Sequence, residues 1–195
     1  MENSNLVIRL KRGDPRAYEE LYTEYVEKIG RIAKTYLGVD DVEDVIQEVF
    51  IRVYKNIKKF RGDSALSTWV YRITVNVCKD MLSKKRRRRE ILTSFGMEED
   101  ETKTLPEPVE YTRPSDEYLK ETSAEEIHKA IDSLAKEDRL LITLREIENM
   151  SYADISNVVD KPIGTVKSRL HYARERLKEL LEKNLKVLGR DHDGV

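Results

Sequence analysis

The sequence predicts an all-α protein made of two small helical domains joined by a flexible acidic linker, the second domain being a helix-turn-helix. Three observations predict it. Apolar residues recur at steps of three and four along most of the chain, with no β-type alternation and no internal repeat. Near the middle, a stretch containing Pro106, Pro108 and Pro114 and the acidic run Glu98-Glu99-Asp100-Glu101 breaks that periodicity. Beyond it the pattern resumes as a short helix, a proline-marked turn and a long basic helix. The expected boundaries are 1–92 for the first domain, 93–122 for the linker, 123–186 for the second domain and 187–195 for a tail.

Taken in order, Asp14-Pro15 pairs an N-cap residue with proline at the first helical position. Tyr18, Tyr22, Tyr25, Ile29, Ile32 and Tyr36 follow as an apolar stripe that ends at Gly38. A second helix begins near Asp40 and Asp41 and shows Val42, Val45, Ile46, Val49, Val53 and Ile57. A third, after the turn Arg61-Gly62-Asp63, carries Leu66, Trp69, Val70, Ile73, Val77 and Met81. Three such stripes can share one core. Trp69 reads as a core residue and Cys78 as a buried structural thiol.

After the linker, Ser123-Ala124-Glu125-Glu126 reads as a capping box opening a helix with Ile127, Ile131 and Leu134, continued by Leu140, Leu141, Leu144 and Ile147. A second capping box, Ser151-Tyr152-Ala153-Asp154, leads a short helix through Ile155, Val158 and Val159. Asp160-Lys161-Pro162 must interrupt it, because proline cannot continue the ladder and disfavours helix in the residue before it. Val166, Leu170, Ala173, Leu177 and Leu181 then mark the long helix. Ser156 and Asp160 stand where such motifs commonly carry alanine and glycine; serine is small enough for the crossing and aspartate tolerates the turn.

Composition narrows the function. Charged residues are 37% and hydrophobic ones 39% of the 195, too polar for one large core and suited to small helical modules. The formal net charge of -1 conceals segregation. Residues 1–92 hold 20 basic and 14 acidic residues, and 93–124 hold 3 and 9. Within the second domain, 125–160 carry 4 basic and 9 acidic residues, whereas 161–178 carry 6 and 1. The charge changes sign where the long helix begins. A helix with Lys167, His171, Arg174 and Lys178 on one face, flanked by Ser168, Arg169, Tyr172 and Arg176, is suited to a major groove and its phosphates. The six consecutive basic residues Lys84 to Arg89 form a second phosphate-binding candidate. Asp41, Asp44 and Glu48, with Gln47 beside them, make an acidic face facing away from DNA. The lone Cys78 excludes an internal disulfide, and no Cys/His spacing suits zinc. No apolar run reaches membrane-span length and the first residues lack a signal-peptide pattern, so a cytoplasmic protein is expected. On these residues alone, a stand-alone operator-binding regulator remains an alternative.

Three segments resemble the extracytoplasmic-function type of RNA polymerase sigma factor, of the sigma-70 family, and fall in that family's order. Residues 41–50, DVEDVIQEVF, are similar to its polymerase-binding helix. Residues 60–73, FRGDSALSTWVYRI, are similar to its promoter-melting segment, and 162–170, PIGTVKSRL, to its recognition-helix entry. The resemblance implies that Asp44, Gln47 and Glu48 contact the β′ clamp helices of core RNA polymerase, with the β flap as a further contact. It implies that Arg61, Gly62, Asp63, Ser64 and Ala65 capture a flipped minus-ten base above Asn76, while Lys79, Lys84, Lys85, Arg86 and Arg87 hold the strand. Thr165, Lys167, Ser168, Arg169, His171, Tyr172, Arg174 and Arg176 would meet minus-thirty-five duplex. The resemblance further implies promoter-specific initiation, an anti-sigma partner, no cofactor and no catalysis by this chain.

Overall fold

A computed structural model describes residues 2–37, 41–94 and 127–190, all helices and their connections. The expected linker falls almost wholly outside these residues, as do Gly38, Asp40 and the capping box at 123–126.

The chain opens on a helix that the periodicity reading left out, α1 (Glu2–Arg12), which buries Leu6 and Leu10. It ends at Gly13, whose φ of 80° lets the N–H of Gly13 reach Leu10 O and that of Asp14 reach Arg9 O. That pair of bonds closes the last turn in the way glycine favours. Asp14 then accepts from the Arg16 N–H at 3.0 Å and starts α2 (Pro15–Leu37). Arg9 reaches Asp14 at 2.9 Å and Glu20 at 2.8 Å, fixing the angle between the two helices and holding the Asp14 carboxyl below its usual range.

The buried stripe of α2 is Ala17, Leu21, Tyr25, Ile29, Ile32, Ala33 and Tyr36. Of the residues expected in that stripe, Tyr22 is exposed and Tyr18 is half-buried, its hydroxyl donating to Leu10 O at 3.1 Å. Two apolar steps run side by side at the start of the helix, and Ala17 and Leu21 take the inside there, while Tyr25 and Tyr36 are buried farther along.

Helix α3 (Val42–Asn56) buries Val45, Val49 and Val53 and runs into a short 3-10 turn, Ile57–Lys59. Helix α4 (Leu66–Ser94) spans 29 residues. The basic run Lys84 to Arg89 lies within this helix. Trp69 is half-buried against Phe60, ring centroids 5.1 Å apart. Cys78 is fully buried and its thiol is pushed up to about 12 by desolvation.

In the second half, α5 (127–132) and α6 (Lys136–Ile142) are separate helices rather than one continued stretch, with a turn at 133–135. A wide π turn, Thr143–Ile147, follows and ends at Glu148 and the left-handed Asn149 (φ 54°). Helix α7 (Tyr152–Val159) is capped as expected, the Ser151 hydroxyl accepting from the Asp154 N–H at 3.1 Å. Asp160 adopts the left-handed conformation (φ 57°), and the Lys161 N–H bonds back to Ser156 O at 3.2 Å. Ser156 adds a hydroxyl bond to Lys161 O at 2.6 Å, a bond alanine could not make. Helix α8 (Ile163–Arg190) runs past the expected boundary at 186.

The halves touch. Helix α4 packs on α7 and α2 on α6, and one hydrophobic cluster runs from Leu6 through Val75 and Leu141 to Ala173.

Candidate polymerase and nucleic-acid interfaces

The α3 residues expected to bind polymerase do not act alike. Asp44 and Gln47 are exposed, but Glu48 is half-buried and accepts from Arg52 at 2.7 Å, which also reaches Asp80 on α4 at 2.8 Å. Glu48 thus braces α3 against α4. Gln47 faces the other way, lining an open groove between α2 and α3 with Tyr18, Tyr22, Ile46, Phe50 and Tyr54. Tyr22 packs on Phe50 at 5.0 Å and Tyr18 on Tyr54 at 5.3 Å, and Tyr54 is 66% exposed. A run of aromatic rings left open to water is an unusual surface for a helical domain. Sequence reasoning missed it, though the i, i+4 pairs Tyr18/Tyr22 and Phe50/Tyr54 were its signal.

The loop from Arg61 to Ala65 lies exposed at the start of α4. Gly62 turns it with φ 84°, Arg61 reaches Asp63 at 3.0 Å, and Ser64 bonds weakly to Ala65 O at 3.3 Å. Asn76 and Lys79 are exposed on α4 and share a stripe with Arg72 and Ser83, at steps of four, three and four. Arg72 is a further cation at that surface which the sequence reading left out. Farther along, Lys84 to Arg89 are all exposed. Successive helical positions turn by about 100°, so the run rings the helix instead of forming one face. Lys85 pairs with Asp41, and Arg86 with Glu90 at 2.9 Å.

On α8, Thr165, Lys167, Ser168, His171, Tyr172, Arg174 and Arg176 are exposed, while Val166, Leu170 and Ala173 are buried beneath them. The helix-turn-helix therefore presents its first turns outward, as groove entry requires. Lys167 stands 5.9 Å from the Tyr152 ring centre and Arg145 stands 4.9 Å from it. Two of the expected DNA contacts are already partnered. Arg169 is half-buried and pairs with Glu137, with Asp138 at 3.3 Å, and Arg174 reaches Glu146 at 2.6 Å. Those acids lie 28 or more positions earlier. No spacing pattern within α8 could have announced them.

Among the described residues, no group of three His, Cys, Asp or Glu side chains is placed to hold a metal, and no helix is long and apolar enough to cross a membrane.

Comparisons with known proteins bear on this arrangement. Residues 21–88 match the family described as Sigma-70 region 2, and residues 124–177 match Sigma-70, region 4. The ECF RNA polymerase sigma-E factor of Escherichia coli (strain K12) is 37% identical over 172 residues, 88% of this chain and 90% of that protein. Its namesake from Haemophilus influenzae is 36% identical over 179 residues, 91% of this chain and 94% of that one. Of solved structures, CnrH in complex with the cytosolic domain of CnrY shares the fold, with TM-score 0.65 at 19% identity over 94% of this chain and 99% of that one. The sigma factor RpoE in complex with the anti-sigma factor NepR from Bartonella quintana gives TM-score 0.61 at 25% identity, over 85% of this chain and 96% of that one. Matches to regions 2 and 4 in order, joined to relatives of the same length and type, place the chain in the sigma-70 family, as an extracytoplasmic-function sigma factor that acts with RNA polymerase in promoter-specific transcription initiation.

Proposed function

We propose that this sigma factor reads its promoter in two parts, with residues 123–186 holding duplex minus-thirty-five DNA and residues 1–92 holding core polymerase and the melted minus-ten strand. The observation that supports this most directly is the outward row Thr165, Lys167, Ser168, His171 and Tyr172 on the first turns of α8, set over a buried Val166, Leu170 and Ala173. Polar tips there reach base edges while flanking cations meet phosphate. Arg176 extends the row, and Arg169 and Arg174 join it by exchanging their carboxylate partners for phosphate.

In the first domain, the Gly62 turn forms the lip of a base pocket and Asn76 hydrogen-bonds the extruded base. Lys79, Lys84, Lys85, Arg86 and Arg87 track its strand. Core polymerase takes Asp44 and Gln47, together with the aromatic groove of Tyr22, Phe50 and Tyr54; Glu48 contributes by holding α3 in place. Residues 93–122 join the two domains along the polymerase. The β flap is assigned to the second domain, and a cytoplasmic site of action follows from the polymerase partner. Bond-making belongs to the polymerase, so the chain itself is no enzyme. RpoE forms a complex with an anti-sigma factor, and an anti-sigma protein is likewise a partner of this chain.

The test is selection of bound DNA from a promoter library by the protein alone and with core polymerase. Enrichment of a two-part motif only with polymerase supports the reading. Enrichment of a palindromic duplex by the protein alone, unchanged by polymerase, overturns it.

A further inference from the structure

The cations assigned to the minus-ten strand all lie on one side of the loop at Gly62, along α4. The other side is basic too. Residues 49–62 contain five basic and no acidic residues. Two of the five are engaged, Arg52 by Glu48 and Asp80 and Arg61 by Asp63 within its own loop. Lys55, Lys58 and Lys59 are exposed, and among the described residues none of the three has an ion-pair partner.

The fold gathers these lysines at the loop end of the first domain. Asp41 at the start of α3 pairs with Lys85, and Arg52 farther along pairs with Asp80, so α3 and α4 run antiparallel. Helix α3 therefore finishes beside the first turns of α4. Lys55 stands three and four positions before Lys58 and Lys59, the spacing that puts helical side chains on one face. Helix α1 packs on the Ile57–Lys59 turn, and Gly13 at its end lines the same groove as Tyr54. Its last turn thus brings the half-buried Lys11 and the exposed Arg12 to that end as well. Two acids there, Asp14 and Glu20, are already held by Arg9.

Reach and charge choose the partner. Lys59 precedes Gly62 by three residues, at most about 11 Å of chain at about 3.6 Å per residue. A strand carries a phosphate about every 3.4 Å in duplex form and less often when stretched, so roughly two or three phosphates beside a base held at the loop lie within that span. Unpaired ammonium groups on flexible stems suit phosphates, which ask for charge and no fixed geometry. Asp44, assigned above to polymerase, stands at the other end of α3 and carries the opposite charge, so a surface matched to it is mismatched here.

We propose that Lys55, Lys58 and Lys59, with Lys11 and Arg12 beside them, hold the opened promoter strand beyond the captured base, on the side away from Lys79 and the Lys84 to Arg89 run. The proposal rests on the minus-ten assignment above. With cations on both sides of the loop, the strand is held before and after the captured base, which slows its return to the duplex.

The test uses the full chain with core polymerase on forked minus-ten templates. Their single strand either stops at the element or runs on for several nucleotides, on one side or on the other. One of the two extensions should raise affinity on the order of tenfold at low salt. Lys58→Gln with Lys59→Gln should remove most of that gain while binding the unextended template as the parent does. The salt slope of the gain should fall by about 1.4, about 0.7 for each lysine lost from a single strand. Lys58→Glu with Lys59→Glu should turn the gain into a loss. No gain from either extension in the parent, or a full gain kept by both double variants, overturns the proposal. Weaker binding of core polymerase by the variants, with the extension gain intact, also overturns it and gives the patch to polymerase. Asn76→Ala, read on the unextended template alone, tests the minus-ten assignment separately; an unweakened complex there removes the loop from the strand path and the proposal with it.

Discussion

Thr68 on α4 donates its hydroxyl hydrogen to Asp154 on α7, 3.0 Å away and 86 positions later in the chain. The other oxygen of Asp154 accepts from the Ser151 hydroxyl at 2.6 Å, and the Asp154 N–H is the one that Ser151 caps. One short carboxylate serves both the start of a helix and the seam between two halves.

Ser151→Ala should therefore cost about 1 kcal/mol, the ordinary worth of an N-cap, and loosen Asp154 at the seam as well. Urea unfolding of the full chain reads it as a lower midpoint at unchanged slope. An unmoved midpoint would mean that the cap contributes nothing to folding.

Lys167 is exposed on the first turns of α8, near the Tyr152 ring. If it reads a base edge, Lys167→Ala weakens duplex binding by about 1–3 kcal/mol at one position of the site. If it holds phosphate, all sequences weaken alike and the salt dependence falls by about one ion. Competition among singly mutated duplexes at two salt concentrations decides between the two. Absence of both effects would move the recognition face elsewhere on the helix.

The groove between α2 and α3 makes a different demand. Tyr22→Ala and Tyr54→Ala remove exposed rings, so folding stability should change by no more than about 0.5 kcal/mol. Affinity for core polymerase should fall by about 1–2 kcal/mol for each, as expected of aromatic anchors. Titration of labelled protein with core polymerase measures it. Wild-type affinity in both variants would confine the polymerase contact to the Asp44 side of α3.

Alkaline pH should unfold the first domain early. Burial pushes the Cys78 thiol and the Tyr36 hydroxyl each up to about 12, and the hydroxyls of Tyr25 and Tyr71 are raised as well, again chiefly by burial. These groups keep their protons longer in the folded protein than in the unfolded chain, whose thiol titrates near about 8.5 and phenols near about 10. Stability is then full below about pH 8.5 and declines as pH rises through the folded values. Urea midpoints from pH 7 to 11 should trace that decline, with a later onset in Cys78→Ala. A flat profile would place these groups in contact with water.

Much of this was legible in sequence because it rests on neighbours along the chain. The Ser151 cap, the break at Pro162 and the α8 stripe each need only a few consecutive residues, and each stands where the periodicity places it. The α2 stripe was read correctly from Tyr25 to Tyr36 and missed only at its start, where Ala17 and Leu21 are buried in place of Tyr18 and Tyr22 and only packing chooses between them. Helix α1 escaped because its apolar residues are few and its last turn is closed by Gly13 rather than by anything periodic. Partners such as Glu137 for Arg169 and Arg31 for Glu148 come from distant segments, which no local pattern can supply. The site residues were picked by type; their pairing is a property of the packed molecule.

Helix α4 is one uninterrupted rod of 29 residues, about 43 Å long, rooted in the core at one end and bare at the other. The loop at Gly62 adjoins its first turn, and the centre of the Lys84 to Arg89 run lies about 30 Å further along. That is close to the length of nine base pairs of duplex. The rod is therefore a ruler: under the proposed assignments, a base held by the loop sets the ring of cations at a fixed offset along α4, and inserting or deleting a turn of α4 would shift the gauge without changing either end.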